Sequence, residues 1–181
     1  GKESPLPGPY DGAKFPFFRR PLEVLSLDHP ATEVVMMKGA QLGGTVLAQI
    51  FVGGILDLAP RPCFYVHPTD GNAKKWKRNK FSQMVKGSTA LTGIMQPDGA
   101  RSGNSAMYWG RRDNRGWLQL AGANSPSQLS MDTFPVAVHD DLAKWLADNG
   151  AGDPEVQADS RGKAFKASGG KTFKIGTPRI L

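Results

Sequence analysis

Apolar residues recur along the chain in short runs that are separated by polar, glycine-containing segments. Four of these runs have the length of β-strands, and segments of helical length lie between them. The four strands are predicted at 32–37, 62–67, 134–139 and 172–175. Strands that alternate with helices favour an α/β fold, in which a mostly parallel sheet carries helices on both faces.

The segments between these strands predict the remaining elements. Helices are expected at 22–27, 46–58, about 71–85, 126–131 and about 155–165, and two further strands at 106–110 and 117–121. Residues 1–21 contain five prolines and are predicted to form an extended leader without regular structure. The domain is therefore expected to span residues 22–181.

Size and composition narrow the class of protein. The 181 residues suit one domain with a single sizeable core. The chain has no run of about 18 apolar residues, so we expect no membrane-spanning helix. One cysteine, Cys63, excludes an internal disulfide framework and a cysteine zinc cluster. A net charge of +7 favours a polyanionic partner. Because the chain begins without methionine, we interpret it as a piece of a longer protein.

A glycine-rich turn at residues 38–45 lies between the first strand and the first long helix. In this setting the usual phosphate loop has the pattern Gly-x-x-x-x-Gly-Lys-Ser/Thr. Gly43 and Thr45 stand in their expected places, but Lys38 and Gly44 have exchanged ends. Backbone N–H groups can still cradle phosphates, and a flexible lysine can reach them from the base of the loop.

The turn therefore predicts a nucleotide site, with the Thr45 hydroxyl as a ligand to Mg²⁺. The predicted nucleotide-binding residues of the turn are Lys38, Gly39, Ala40, Gln41, Leu42, Gly43, Gly44 and Thr45. The alternative is a glycine-rich turn that binds no nucleotide. A second Gly-Lys-Thr sequence, at 170–172, has Phe165 where the first glycine belongs and precedes a strand, so it is predicted to be a hairpin-type turn.

Two acids follow the strand at 134–139. A phosphate loop needs an aspartate that holds the metal and a neighbouring carboxylate that orients water. Asp140 is predicted to hold Mg²⁺, and Asp141 to polarise the attacking water. The alternative for the pair is a solvated helix N-cap. His139 could be a metal ligand, but a role in the structure or in supporting a neighbouring site residue is predicted, because P-loop sites bind Mg²⁺ through oxygen. Thr177, after the last strand, is predicted to contact the γ-phosphate.

In this order the motifs resemble the ATPase domain of the phage terminase large subunit, in the lambda-like branch, whose phosphate loop carries its lysine at the first position. The resemblance runs from about residue 16 to residue 178. Further matching segments are 65–69, 122–126, 152–154, Arg161 with Phe165, and 176–178. The resemblance rests on this ordered set of motifs.

The resemblance implies an ATP hydrolase with a P-loop NTPase fold of the ASCE (RecA-like) kind that uses ATP and Mg²⁺. It implies a motor that moves double-stranded DNA through a portal protein into a procapsid. As such, it would act in the host cytoplasm as a homo-oligomeric ring with a small terminase subunit and without membrane contact. A nuclease domain, which would make the full-length protein an endonuclease, is expected outside this chain. The implied catalytic residues are Lys38, Asp140, Asp141 and Thr177.

The resemblance also bears on the acidic pair, on the adenine contacts and on the basic residues of the chain. The family generally has Asp-Glu at the acidic pair, whereas Asp141 is one methylene shorter than glutamate. Arg19 and Arg20 lie in the leader, where related motors contact the adenine, and Phe18 is predicted to stack on the base. The helix at about 71–85 is predicted to face either DNA or solvent with its basic residues, which are Lys74, Lys75, Lys77, Arg78 and Lys80. Candidates for an arginine that reaches a γ-phosphate are Arg101, Arg111, Arg112 and Arg161.

Two other functions remain compatible with the sequence. One is a helicase-like or other nucleic-acid translocase built on the same core. The other is a catalytically silent nucleotide-binding assembly module, which Gly44 and Asp141 would favour because both depart from the common patterns.

Overall fold

A six-stranded sheet forms the centre of the fold in the computed structural model, which describes residues 10–99 and 102–178. The strand order is β1-β6-β5-β2-β4-β3. All neighbours are parallel except β3, which pairs antiparallel with β4 at one edge. The strands are β1 Glu33–Met37, β2 Cys63–His67, β3 Tyr108–Gly110, β4 Trp117–Gly122, β5 Val136–His139 and β6 Lys171–Gly176.

Helices connect the strands. They are α1 Arg19–Leu25, α2 Gly44–Leu58, α3 Asp70–Trp76, α4 Ser82–Lys86, α5 Thr89–Ile94, α6 Pro126–Leu129 and α7 Pro154–Ser160. A π-helical turn, Lys77–Phe81, joins α3 to α4, so the predicted helix at 71–85 is present with one local distortion. Within residues 10–99 and 102–178, none of the helices combines the length and the apolar character that crossing a membrane requires.

Side chains of the sheet pack into two cores, one on each face. All five residues of β2 are buried, as expected for a central strand covered on both sides. Cys63 and Tyr65 point into the larger core with α2, whereas Phe64 and Val66 join a smaller core with α6 and α7. Phe64 stacks on Phe134 there, with ring centroids 4.6 Å apart. Helices therefore cover both faces, as the sequence predicts.

The segment before α1 differs from the predicted extended leader. Its described part forms two 3-10 turns, Gly12–Lys14 and Pro16–Phe18, and α1 begins at Arg19 rather than at residue 22. The Asp11 side chain caps the first turn by accepting a hydrogen bond of 3.0 Å from the Ala13 amide. The prolines do not prevent these turns, because proline is tolerated at the start of a helix. Residues 1–9 lie outside the described part.

The segment at 169–172 is also not the predicted hairpin-type turn. A 3-10 helix, Lys163–Ser168, ends at Gly169, whose φ of 83° is the left-handed conformation that commonly closes a helix. β6 then begins at Lys171 and runs parallel to its neighbours. The segment is therefore a helix-to-strand connection. Another element that the sequence did not indicate is α5, a short helix capped by Ser88.

Candidate functional site

Four adjacent parallel strands end at the same edge of the sheet, in the order β1, β6, β5 and β2. Ligands of such sheets bind beyond the carboxyl ends of the strands. The segments that follow these strands border a cleft of about 370 Å³. Its lining comprises Lys38, Ala40, Gln41, His67, Pro68, Asn72, Asp140, Asp141, Lys144, Ile175, Gly176, Thr177 and Pro178. The cleft thus contains all four predicted catalytic residues.

Lys38 extends back across the loop that it begins. Its backbone amide continues the pairing of β1 with β6 by donating a 3.1 Å hydrogen bond to the Gly176 carbonyl. Its Nζ donates to Thr177 Oγ1 at 3.1 Å and, more weakly, to the Gly39 carbonyl at 3.4 Å. The loop lysine and the threonine after β6 are therefore in direct contact.

Gly44 leaves the space that the Lys38 side chain occupies. A Cβ atom added at Gly44 would lie 2.8 Å from Cδ of Lys38 and closer still to its Cε. Real Cβ atoms essentially never approach other atoms this closely, so a larger residue at position 44 would displace the lysine. The lysine at position 38 and the glycine at position 44 therefore depend on each other, because the Lys38 side chain fits only where residue 44 has no side chain.

Phe18, which was predicted to stack on a base, is buried and packs against Gly43 of the loop. Its side chain is 2% exposed, and its Cζ would lie 2.7 Å from a Cβ added at Gly43, which has a φ of 76°. Phe18 stacks on Phe15 and on Tyr10, with ring centroids 5.8 and 6.4 Å apart. The faces of Phe18 are therefore packed against other rings inside the protein, and its stacking on a base stays a prediction.

The other residue predicted at the base, Arg19, is exposed and pairs with Glu23 at 3.2 Å. A second cavity, of about 510 Å³, lies beside it. This cavity is lined by Tyr10, Gly12, Phe15, Arg19, Leu22 and Glu23. Phe18 contacts both the rings of this cavity and Gly43 of the loop at 38–45. The cavity and the loop are therefore packed against the same side chain.

The remaining loop residues divide into two groups. Ala40 and Gln41 line the cleft with Lys38, and Gln41 has a φ of 61°, which few non-glycine residues adopt. The second group forms the rest of the turn and the start of α2 and does not border the cleft. Its members are Gly39, Leu42, Gly43, Gly44 and Thr45. The predicted binding of Mg²⁺ by Thr45 stays a prediction.

Asp140 is buried beneath the cleft and held by β2. Its Oδ2 accepts a 2.9 Å hydrogen bond from the Tyr65 hydroxyl, and His67 Nδ1 lies 3.9 Å from the same oxygen. Burial raises the pKa of Asp140, and the hydrogen bond from Tyr65 opposes that rise. A cation in the cleft would favour the ionised form of this carboxyl group.

Asp141 has an unusual backbone and a nearby partner. Its φ of 56° is left-handed, and its carboxylate forms an ion pair with Lys144, one turn further along the chain. Trp145 fixes this turn by donating from Nε1 to the Asp140 carbonyl at 2.9 Å. The carboxylate that was predicted to polarise water therefore already carries a positive neighbour at the edge of the cleft.

The two buried histidines differ in position. His67 lines the cleft, whereas His139 is fully buried on the other face of the sheet, with Nδ1 3.7 Å from Asp159 Oδ1. Burial lowers the pKa of both to about 3, so both are neutral near pH 7. The placement of His139 away from the cleft fits the predicted structural role better than a ligand role.

None of the predicted arginine candidates lines the cleft, although Arg101 lies outside the described residues. Arg111 is buried, where its guanidinium pairs with Asp113 and donates to a backbone carbonyl of α2. Arg112 donates from Nε to the Met95 carbonyl at 2.9 Å. Arg161 lies on the opposite side of the sheet, beside the Ser130 carbonyl.

A metal ion at the cleft would need ligands from the predicted nucleotide as well as from the protein. Among residues 10–99 and 102–178, no three His, Cys, Asp or Glu side chains are grouped so that they could hold an ion by themselves. Asp140 nevertheless offers a carboxylate at the cleft, and Mg²⁺ bound with a nucleotide takes one or two carboxylates plus phosphate oxygens. The side chains present therefore fit Mg²⁺ that arrives with a phosphate ligand.

Sequence reasoning missed several side chains of the site. Asn72 reaches the cleft because Thr69 caps α3, accepting from the Asn72 amide at 3.2 Å, and so sets the direction of its first turn. Lys144 follows Asp141 by three residues, a spacing that could have suggested the ion pair. Tyr65 gave no local signal, because its partner Asp140 is 75 residues away.

Comparisons with known proteins cover nearly the whole chain. Residues 4–181 match the family described as "Phage terminase large subunit gpA, ATPase domain". The ATPase domain of the Thermus phage P74-26 large terminase is similar in fold, with a TM-score of 0.55, 16% identity, and coverage of 82% of this chain and 60% of that chain. The large terminase of a thermophilic bacteriophage gives a TM-score of 0.61, 16% identity, and coverage of 88% and 39%. The chain thus spans less than two thirds of either structure, and no curated protein matches it.

Proposed function

We infer the function of this chain from one premise, which is that it belongs to the gpA family of phage terminase large subunits, within the ATPase domain. We propose that the cleft binds and hydrolyses ATP. We further propose that the full-length protein couples hydrolysis to the movement of double-stranded DNA through a portal protein into a procapsid, as a ring with a small terminase subunit. The observation that carries the proposal is the contact between Lys38 and Thr177 in the cleft that Asp140 and Asp141 border.

The loop at 38–45 holds the phosphates in this mechanism. The loop leads directly into α2, and the N-terminus of a 15-residue helix offers free N–H groups and favours negative charge. The Lys38 ammonium adds a positive charge beside Thr177 Oγ1, 3.1 Å away. It would neutralise charge on the terminal phosphate, and the threonine would sense whether that phosphate is present.

The acidic pair divides the remaining work. Thr45 and Asp140 would hold Mg²⁺, which, when bound, supplies neutralisation of the charge on the phosphate oxygens. Asp141 would orient the attacking water and accept its proton. Because Asp141 is paired with Lys144 at rest, we propose that it shares or leaves this partner when the nucleotide binds. Lys144 would then be free to face the phosphates.

The base would lie in the cavity beside Arg19. Tyr10 is 44% exposed there, and Phe15 shares the lining, so two rings stand where Phe18 was predicted to act. Aromatic faces suit a purine because stacking is favourable for any base. The proposal therefore moves base stacking from Phe18 to Tyr10 and keeps Arg19 at the rim.

The lysine-rich helix supplies a candidate surface for DNA. Lys74, Lys75 and Arg78 are exposed on α3 and the turn that follows it. Lys77 is not part of this surface, since it is buried and its Nζ donates to the Tyr108 carbonyl at 3.3 Å. Three exposed cations on one segment suit contacts with successive phosphates of a duplex.

The test is ATP hydrolysis by the full-length protein with and without duplex DNA. We expect hydrolysis that requires Mg²⁺ and that DNA stimulates. Replacing Lys74, Lys75 and Arg78 together by alanine should remove the stimulation and leave basal hydrolysis unchanged. Replacement of Lys163 and Lys166, two exposed lysines that follow α7, is the matched control. A folded protein that neither binds nor hydrolyses ATP would refute the proposal.

One observation favours a second function, a silent nucleotide-binding assembly module. The water-orienting position is occupied by the shorter acid, Asp141, and that acid is engaged by Lys144. A silent module would bind ATP in the presence of Mg²⁺ but release no phosphate, even with DNA and portal present. Single-turnover measurement of phosphate release distinguishes the two functions, because it detects even one round of hydrolysis.

A further inference from the structure

The central strand carries a buried hydroxyl that contacts the acidic pair. Tyr65 is fully buried in the middle of β2, and its hydroxyl donates a 2.9 Å hydrogen bond to Asp140 Oδ2. The two strands are also joined just beyond β5, where the Asp140 amide donates to the Val66 carbonyl at 2.9 Å. Asp140 is thus held to β2 through both its backbone and its side chain.

Two neighbouring aromatic rings pack against the buried Tyr65 ring. It stacks on His67, with centroids 4.6 Å apart and planes inclined by 16°, and it packs against Trp76 of α3 at 4.2 Å. Because the ring is fully buried and packed in this way, its hydroxyl oxygen stays beside Asp140. The position of the hydroxyl is therefore set by packing before any ligand arrives.

We propose that Tyr65 is a positioning residue that orients the Asp140 carboxylate toward the divalent cation accompanying the nucleotide. Tyr65 suits this role because it is a neutral donor, so it restrains one carboxylate oxygen without cancelling the negative charge. Partners of this kind orient the ligands of metal sites, and their loss typically costs about 10- to 100-fold in metal affinity. The inference rests on the proposed binding of ATP with Mg²⁺.

The test is the concentration of Mg²⁺ that half-saturates the binding of a fluorescent, non-hydrolysable ATP analogue to the full-length protein. In Tyr65→Phe we expect this concentration to rise by about 10-fold or more, because the ring remains and only the donor is lost. The weaker binding of the analogue that remains in EDTA should be the same in Tyr65→Phe as in the wild type. Tyr108→Phe, on the edge strand β3 away from the cleft, is the matched control and should behave like the wild type.

A second variant guards against misfolding. If Tyr65→Phe does not fold, para-fluorophenylalanine in place of Tyr65 fills the space of the hydroxyl without donating, and para-aminophenylalanine restores a donor. We expect the amino variant to regain the wild-type half-saturating Mg²⁺ concentration, and the fluoro variant to need a concentration about 10-fold or more higher.

Two results would overturn the inference in distinguishable ways. If the wild type depends on Mg²⁺ but the variants without a donor keep its midpoint and change only thermal stability, Tyr65 is merely structural and the inference alone fails. If the wild type binds the analogue equally well in EDTA, or not at all, the proposed function fails as well.

Discussion

Two lysines stand next to glycines on neighbouring parallel strands, and the fold uses them in opposite ways. Lys38 follows the carboxyl end of β1, whereas Lys171 lies at the amino end of the neighbouring strand, β6. Lys171 is 3% exposed, and its Nζ donates to the carbonyls of Val24 at 3.1 Å, His29 at 2.9 Å and Ala31. It ties the connection between α1 and β1 to the sheet.

The difference shows that the end of the strand at which each lysine lies, rather than local sequence, decides its role. The Gly-Lys-Thr at 170–172 looks more like a phosphate loop than the turn at 38–45 does, but three carbonyls already saturate its ammonium. Burial also lowers the pKa of Lys171. Lys38 instead contacts a hydroxyl and one distant carbonyl, so its charge remains available to a ligand in the cleft.

The sharpest way to break this comparison is Lys38→Ala. We expect ATP turnover to fall by about 100-fold or more, because no other lysine lies in the loop and charge stabilisation at a reacting centre is typically worth that much. Thermal stability should stay near the wild-type value. Lys166→Ala, which removes an exposed lysine, should change neither quantity. Near-normal ATP turnover in Lys38→Ala would show that Lys38 does not take the place of the lysine missing at position 44.

The complementary change is Lys171→Met, which keeps the length of the side chain and removes its donors. We expect the free energy of unfolding to fall by about 1–3 kcal/mol, since partly buried carbonyls lose their donor. Calorimetry or chemical denaturation measures this loss, with Lys163→Met as an exposed control. Folded Lys171→Met should bind nucleotide as the wild type does. A variant with normal stability and lost binding would reverse the roles of the two lysines.

The ends of the strands could be predicted from the sequence because their signals are local. Runs of apolar residues place β1, β5 and β6, and the residues that follow each run therefore meet at one edge. For the same reason Lys38, Asp140 and Thr177 were expected to lie together, and they line one cleft.

The parts that could not be predicted depend on contacts between distant residues. Phe18 is as apolar as an adenine-stacking ring must be, and only the packing against Gly43 shows that it is buried. Lys77 continues a run of exposed cations in the sequence, but the π-helical turn carries it inward. Arg111 lies in a charged turn, and its burial against α2 depends on a residue 55 positions earlier.

Gly44→Ala tests whether the glycine is what permits Lys38 to fold back. The added Cβ must displace the lysine chain, and overpacking of this kind costs about 1–3 kcal/mol. We expect nucleotide affinity to fall by roughly 10-fold, which corresponds to about 1.4 kcal/mol. Gly54→Ala is the control in the same helix, because its added Cβ would meet no atom within 4 Å apart from its chain neighbours and the adjacent backbone of the helix. That control should bind normally and gain about 0.5–1 kcal/mol in stability. Equal nucleotide affinity in both variants would show that the position of Lys38 does not depend on the glycine at position 44.

The smallest effect is expected for Asp141→Glu, which sharpens the comparison by asking what a third lysine, Lys144, does at the cleft. The extra methylene carries the carboxylate past its resting partner and toward the phosphates, so ATP turnover should equal or exceed that of the wild type. Asp141→Asn keeps the size but removes the charge, and it should lower turnover because no base then orients the water. Steady-state phosphate release measures both. If Asp141→Glu folds normally yet loses turnover, Asp141 does not orient the water, and Lys38 and Lys144 would have to act on the phosphates without it.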